Sequence, residues 1–170
     1  IFLCGLPASG KSTLAKKLSE ILNIKNIDLD DEIVRHESRS IKDIFAENGE
    51  SYFRKLESEL IENLNFDTPW IIALGGGALQ NESIKKMTKN HILIYLKADI
   101  SLLVDRILSS NNRPMFLDDR GNSLTKSDSQ IKLNQLLKNR EHSFLEADLI
   151  VDISSPNILG EITQFYEINR

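Results

Sequence analysis

Cysteine is almost absent from this 170-residue chain: Cys4 stands alone in an apolar stretch, so no disulfide can close within it. A packed thiol and a reducing, cytoplasmic setting are expected. No apolar run approaches the ~20 residues that span a bilayer, and no secretory leader is visible, so no membrane partner is expected. Positive charge is not in surplus either. The 21 Lys and Arg face 25 Asp and Glu, a net charge of −4, which leaves no global basic field and makes nucleic acid an unexpected partner. His36, His91 and His142 are isolated and lack metal-ligand spacing, so no transition-metal site is predicted. Internal repeats and low-complexity tracts are missing, which excludes a solenoid. What remains, 41% hydrophobic and 27% charged residues, fits one globular domain over residues 1–170. The chain starts inside an apolar run with no methionine, so a few residues are expected to precede Ile1.

The most informative stretch is Gly5-Leu6-Pro7-Ala8-Ser9-Gly10-Lys11-Ser12, which fits G-x-x-x-x-G-K-[ST]. It follows the apolar Ile1 to Cys4 and precedes Leu14, Leu18, Ile21 and Leu22, which predict one buried helix face. Strand, loop and helix thus come in the order a phosphate-binding loop requires. Its amides and the helix N-terminus would meet an anion, Lys11 would reach the β- and γ-phosphate oxygens, and the Ser12 hydroxyl would ligate Mg²⁺.

Further strands are predicted over 24–28, 70–74, 92–96 and 149–151, with helices over about 51–64, 82–88, 101–108, 127–146 and 155–168. Ser40 with Asp43 predicts another helix start, and Asn48-Gly49 a break. Alternation of this kind predicts right-handed crossovers and a parallel five-stranded sheet in a three-layer α/β/α fold. Residues 109–125 are polar and turn-rich, with too little apolar content to pack tightly, and are expected to form a mobile lid.

The candidate chemistry lies after the second and third strands, at the edge where open α/β sheets bind ligands. Asp28 and Asp30 could divide the work of phosphoryl transfer, one holding Mg²⁺ through water and the other accepting a hydroxyl proton. The same cluster would equally serve as a helix N-cap with an acidic first turn. Gly75-Gly76-Gly77 would let a ligand approach bare amides, or would simply turn the chain. Arg54, Arg113 and Arg140 could converge on an anionic substrate, although each alone also reads as a surface arginine.

Taken together, the chain resembles the shikimate kinase family of P-loop kinases over nearly its whole length. The resemblance is carried by Gly5 to Thr13, Asp28-Leu29-Asp30, Ser40 to Phe45, Phe53-Arg54-Lys55-Leu56-Glu57, Gly75-Gly76-Gly77, Arg113-Pro114 and Asn139-Arg140. It implies transfer of the ATP γ-phosphate to the 3-hydroxyl of shikimate, with Mg²⁺, by a cytoplasmic monomer. Asp30, Lys11 and Arg113 would be catalytic. Asp30, Arg54, Gly76, Gly77, Arg140, Phe45 and Phe53 would meet shikimate. Gly5, Ala8, Ser9, Gly10, Lys11, Ser12, Thr13, Arg106, Arg113 and Pro156 would meet the nucleotide, and Ser12 and Asp28 the metal. Helices over about 30–64 would form the substrate-binding part. A gluconate or nucleoside monophosphate kinase of the same fold is the nearest rival, and a catalytically silent nucleotide-binding module the alternative from another class. One departure is Ala8, where the family loop carries glycine; a negative φ is expected to accommodate it.

Overall fold

A computed structural model describes residues 1–110, 114–118 and 121–170. Among them are five strands, β1 (Phe2–Cys4), β2 (Lys25–Asp28), β3 (Trp70–Ala73), β4 (Leu93–Lys97) and β5 (Leu149–Asp152), in one sheet of order β2-β3-β1-β4-β5. Every pairing is parallel, with Phe2 level with Ile72 on one side and Leu93 on the other. The helices are α1 (Lys11–Leu22), α2 (Leu29–Glu37), α3 (Ile41–Glu62), α4 (Glu82–Thr88), α5 (Ile100–Leu108), α6 (Lys126–Phe144) and α7 (Ile158–Asn169).

Side chains alternate across a strand, so the sheet has two apolar faces, each needing a helical cover. Leu3, Ile71, Ala73, Ile94 and Leu96 pack with Leu14, Leu18 and Ile162 of α1 and α7. Phe2, Cys4, Ile72, Leu74 and Tyr95 face the other way, toward a larger core that includes Ile33, Phe53, Leu103 and Phe144. The predicted three layers therefore form. Cys4 is buried among them, and that burial pushes its thiol up to about 12, which makes it an inert packing group.

Local chemistry explains the helix starts nearest the site. Asp28 caps α2, its Oδ1 accepting from the amides of Asp30 and Asp31 at 3.0 and 3.2 Å. Ser40 caps α3 by accepting from the Asp43 amide at 3.1 Å. Within α3, Gly49 stands at φ 79°, ψ 176°, a conformation no helix supports, and kinks it where the sequence predicts a break.

Three expectations need correction. Ile21, expected on the buried face of α1, is exposed: Ala15 is buried with Leu14 and Leu18, which turns the apolar stripe away from Ile21 and leaves it at the margin. The described part of 109–125 packs more tightly than its polarity suggests. Phe116 is only 2% exposed, its carbonyl accepts from the Leu124 amide at 2.9 Å, and Leu117 bridges antiparallel to Ser123. One aromatic ring suffices there, because burying it outweighs many polar neighbours that remain in water. Third, Ala8 sits at φ 67°, not at a negative angle.

Candidate active site

The phosphate loop leaves β1 at Gly5, whose φ is 144°; a β-carbon there would lie 2.7 Å from the Leu96 carbonyl oxygen, so glycine is required. Gly10, at φ 91°, ends the loop and caps α1. Ala8 lies between them in the left-handed region, a position that costs an L-residue about 1–2 kcal/mol. The loop is held there from afar, because Arg106 of α5 donates to the Ala8 carbonyl at 3.1 Å. That bond ties together two nucleotide-site candidates 98 residues apart. Lys11 Nζ donates to the carbonyls of Gly5 and Leu6, both at 3.0 Å, so its ammonium spans the loop.

Beside the loop, Ser12 Oγ donates to Asp28 Oδ2. Asp28 thus acts as the helix cap, with one oxygen on the α2 amides and the other facing Ser12. Asp30 follows on the first turn of α2 and lies against the triple glycine: a β-carbon on Gly75 would stand 2.5 Å from Asp30 Oδ1. Burial first, and then the charge of Asp28, raises the Asp30 carboxyl from 3.8 to about 6, with Lys11 and Arg54 acting in the opposite sense. A base poised near neutrality is what proton abstraction from an alcohol needs.

The second and third glycines admit two arginines. Arg140 of α6 donates to the Gly76 carbonyl at 3.0 Å, and a β-carbon on Gly77 would lie 2.9 Å from Arg54 Nη2 and 3.4 Å from Arg140 Nη2. Burial, and then the neighbouring Arg54, lowers the Arg140 pKa. Two guanidinium groups brought together in this way have the donor geometry to receive a carboxylate. Arg54 is itself anchored by Glu57 at 2.7 Å and Glu50 at 3.0 Å. Glu57 is fully buried, one oxygen has no hydrogen-bond partner among the described residues, and burial raises it to about 7 against the pull of Arg54.

One cleft of about 1120 Å³ runs from the loop past Asp28, Asp30, Gly76 and Gly77 to Arg140, whereas Arg54 is off its lining and stands beside Gly77. Ala8, Ser9, Gly10, Ser12, Thr13 and Arg106 also line it. Phe45 forms part of its wall, whereas Phe53 is 4% exposed and packs behind Phe45 with ring centroids 4.7 Å apart. Phe53 therefore supports the wall and does not form it, because its place one turn after the Gly49 kink points it into the core. Pro156 is exposed and off the lining, while Ile153 and Ile158 on either side of it reach the cleft. Arg113 lies outside the described residues. Lys42, Met115 and Phe116 line the cleft as well, although the sequence singled out none of them as a site residue.

A parallel sheet of this order, with a glycine loop and its lysine at one end and a carboxylate and two arginines beside it, defines a small P-loop phosphotransferase. The chain belongs to the shikimate kinase family, whose model matches residues 7–167. A shikimate kinase of Chlorobaculum tepidum is 38% identical over 165 residues, covering 96% of this chain and 86% of that one. The solved shikimate kinase of Acinetobacter baumannii, in complex with shikimate, is 27% identical, superposes with a TM-score of 0.85, and covers 99% of this chain and 93% of its own. That of Aquifex aeolicus is 30% identical with a TM-score of 0.79, covering 99% and 96%.

Proposed function

We propose that this chain transfers the γ-phosphate of ATP to the 3-hydroxyl of shikimate, giving shikimate 3-phosphate and ADP. The observation that carries the reading is Asp30 lying against Gly75 while Arg54 and Arg140 meet at Gly77, a base and a carboxylate receptor on one glycine turn. In this reading the two guanidinium groups hold the shikimate carboxylate and the glycine backbone meets the ring hydroxyls. Asp30 takes the proton of the 3-hydroxyl as its oxygen bonds to the γ-phosphorus. The bond from that phosphorus to the β,γ-bridging oxygen breaks, and ADP leaves with the electron pair. The loop amides and Lys11 offset the charge on the phosphates, and Arg106 braces the loop through Ala8.

Ser12 and Asp28 fit Mg²⁺: both offer hard oxygen donors, they already touch, and Mg²⁺ takes one or two protein oxygens together with water and phosphate. When bound, Mg²⁺ would neutralise charge between the β- and γ-phosphates. Arg113 is the proposed lid contact to the transferring phosphate, and a single chain is the proposed working unit.

A coupled assay for ADP release decides the reading. ATP with shikimate is expected to turn over, with gluconate and nucleoside monophosphates at least about 10²-fold poorer in kcat/KM, because the monophosphates bring no carboxylate to the half-buried arginines and open-chain gluconate does not hold its carboxylate and hydroxyl at the fixed spacing of a ring. Turnover that does not depend on shikimate would overturn it.

A further inference from the structure

We infer that Lys132 is a positioning residue for phosphoryl transfer, holding the cleft wall formed by Met115 and Phe116. The inference rests on the reading of this cleft as the reaction site. Met115 and Phe116 belong to a three-residue 3₁₀ turn, Pro114–Phe116, and both line the same cleft as the phosphate loop and Asp30. A single turn of that kind has poor internal hydrogen bonds and cannot hold its own direction. Phe116 is anchored by burial and by the Leu124 amide, but Met115 is 46% exposed and has no apolar socket to orient it. Its carbonyl is held instead by Lys132, whose Nζ donates to it at 2.5 Å while standing 5.8 Å above the centre of the Phe116 ring.

The choice of partner matters. A lysine on the outer face of a helix ordinarily meets water or a carboxylate, and among the described residues no carboxylate pairs with Lys132. Its charge is spent on one backbone carbonyl and one aromatic face, both in the cleft wall. The neighbouring Leu133 is fully buried, so the backbone from which Lys132 reaches is rigid. The tether thus runs from a fixed helix to a part of the wall that the core does not grip. Eight residues on, Arg140 projects from the same helix to Gly76, so α6 aligns both the proposed carboxylate receptor and this wall.

The test compares Lys132→Met, which keeps the stem and removes the ammonium, with Lys132→Arg, which keeps the charge. Loss of one charge-assisted bond in the wall is expected to lower kcat/KM for the acceptor about tenfold in Lys132→Met. Lys132→Arg should restore most of it, with melting temperatures close to wild type. Hydrogen exchange at the Leu124 amide, which the Phe116 carbonyl accepts, should quicken in Lys132→Met without any substrate present. Unchanged kinetics in Lys132→Met, or lost activity that Lys132→Arg does not restore, would overturn the inference. The exchange measurement separates this from the proposed reaction: fast exchange with no shikimate turnover in the wild type would fault the reaction and leave the tether standing.

Discussion

Asp30 Oδ1 occupies the space that a side chain on Gly75 would need, 2.5 Å from the β-carbon position. The glycine and the carboxylate therefore form one unit, and disturbing either should have the same kinetic consequence. Asp30→Asn is expected to lower kcat about 10²-fold or more, the usual contribution of a general base. Gly75→Ala should approach that loss by displacing the carboxylate. Steady-state kinetics with circular dichroism as a folding check measures both, and a near wild-type kcat in Asp30→Asn would remove Asp30 from the base role.

The raised carboxyl of Asp30 also sets a pH dependence. It must be ionised to accept a proton, so kcat/KM should fall about tenfold per pH unit below about 6 and level off above. Stability responds in the opposite direction. A carboxyl whose pKa is higher in the folded state contributes stability that is complete below its ordinary value and is lost as pH rises through the folded one. For Asp30 that window runs from 3.8 to about 6, and for Glu57 from 4.5 to about 7. Glu57→Gln should accordingly lose less melting temperature across its window than the wild type, and equal slopes in thermal scans would contradict the assignment.

In the proposed reading Arg140 holds the shikimate carboxylate and not the transferred phosphate, so its removal should weaken binding more than chemistry. Arg140→Ala is expected to raise KM for shikimate about tenfold or more with a smaller change in kcat, and KM for ATP should stay near wild type. A fall in kcat at unchanged KM would instead place Arg140 at the phosphoryl group.

Ala8 offers a prediction on stability. Glycine at φ 67° would release about 1–2 kcal/mol of left-handed strain and cost about 0.5–1 kcal/mol in unfolded-state entropy. Ala8→Gly should then stabilise by about 0.5–1 kcal/mol and raise the melting temperature by about 2 °C at this chain length. A lower melting temperature would mean that the methyl group's packing, at 8% exposure, outweighs the strain.

Elements written in local chemistry were legible in the sequence. Glycine and lysine spacing marked the phosphate loop, Ser40 with Asp43 marked a helix start, Gly49 marked a kink, and strand and helix periods marked the layers. Each depends on dihedral preference or on contacts a few residues apart, which a sequence carries directly. The Asp30, Arg54 and Arg140 set was visible as residue types, but not that Arg54 and Arg140 meet across Gly77.

Tertiary packing decided what depends on distant partners. The positive φ of Ala8 is held by Arg106, 98 residues away. The exposure of Ile21 follows from which side of α1 meets the sheet, and the place of Phe53 behind Phe45 from the direction α3 takes after its kink. Phe116 is buried in the larger core, and only then does Lys132 find the Met115 carbonyl. The sequence by itself determined where a triphosphate and a small anion can be gripped, since backbone freedom and charge are local properties. The fold alone determined how those grips face one another, since non-local contacts form only once the whole core has closed.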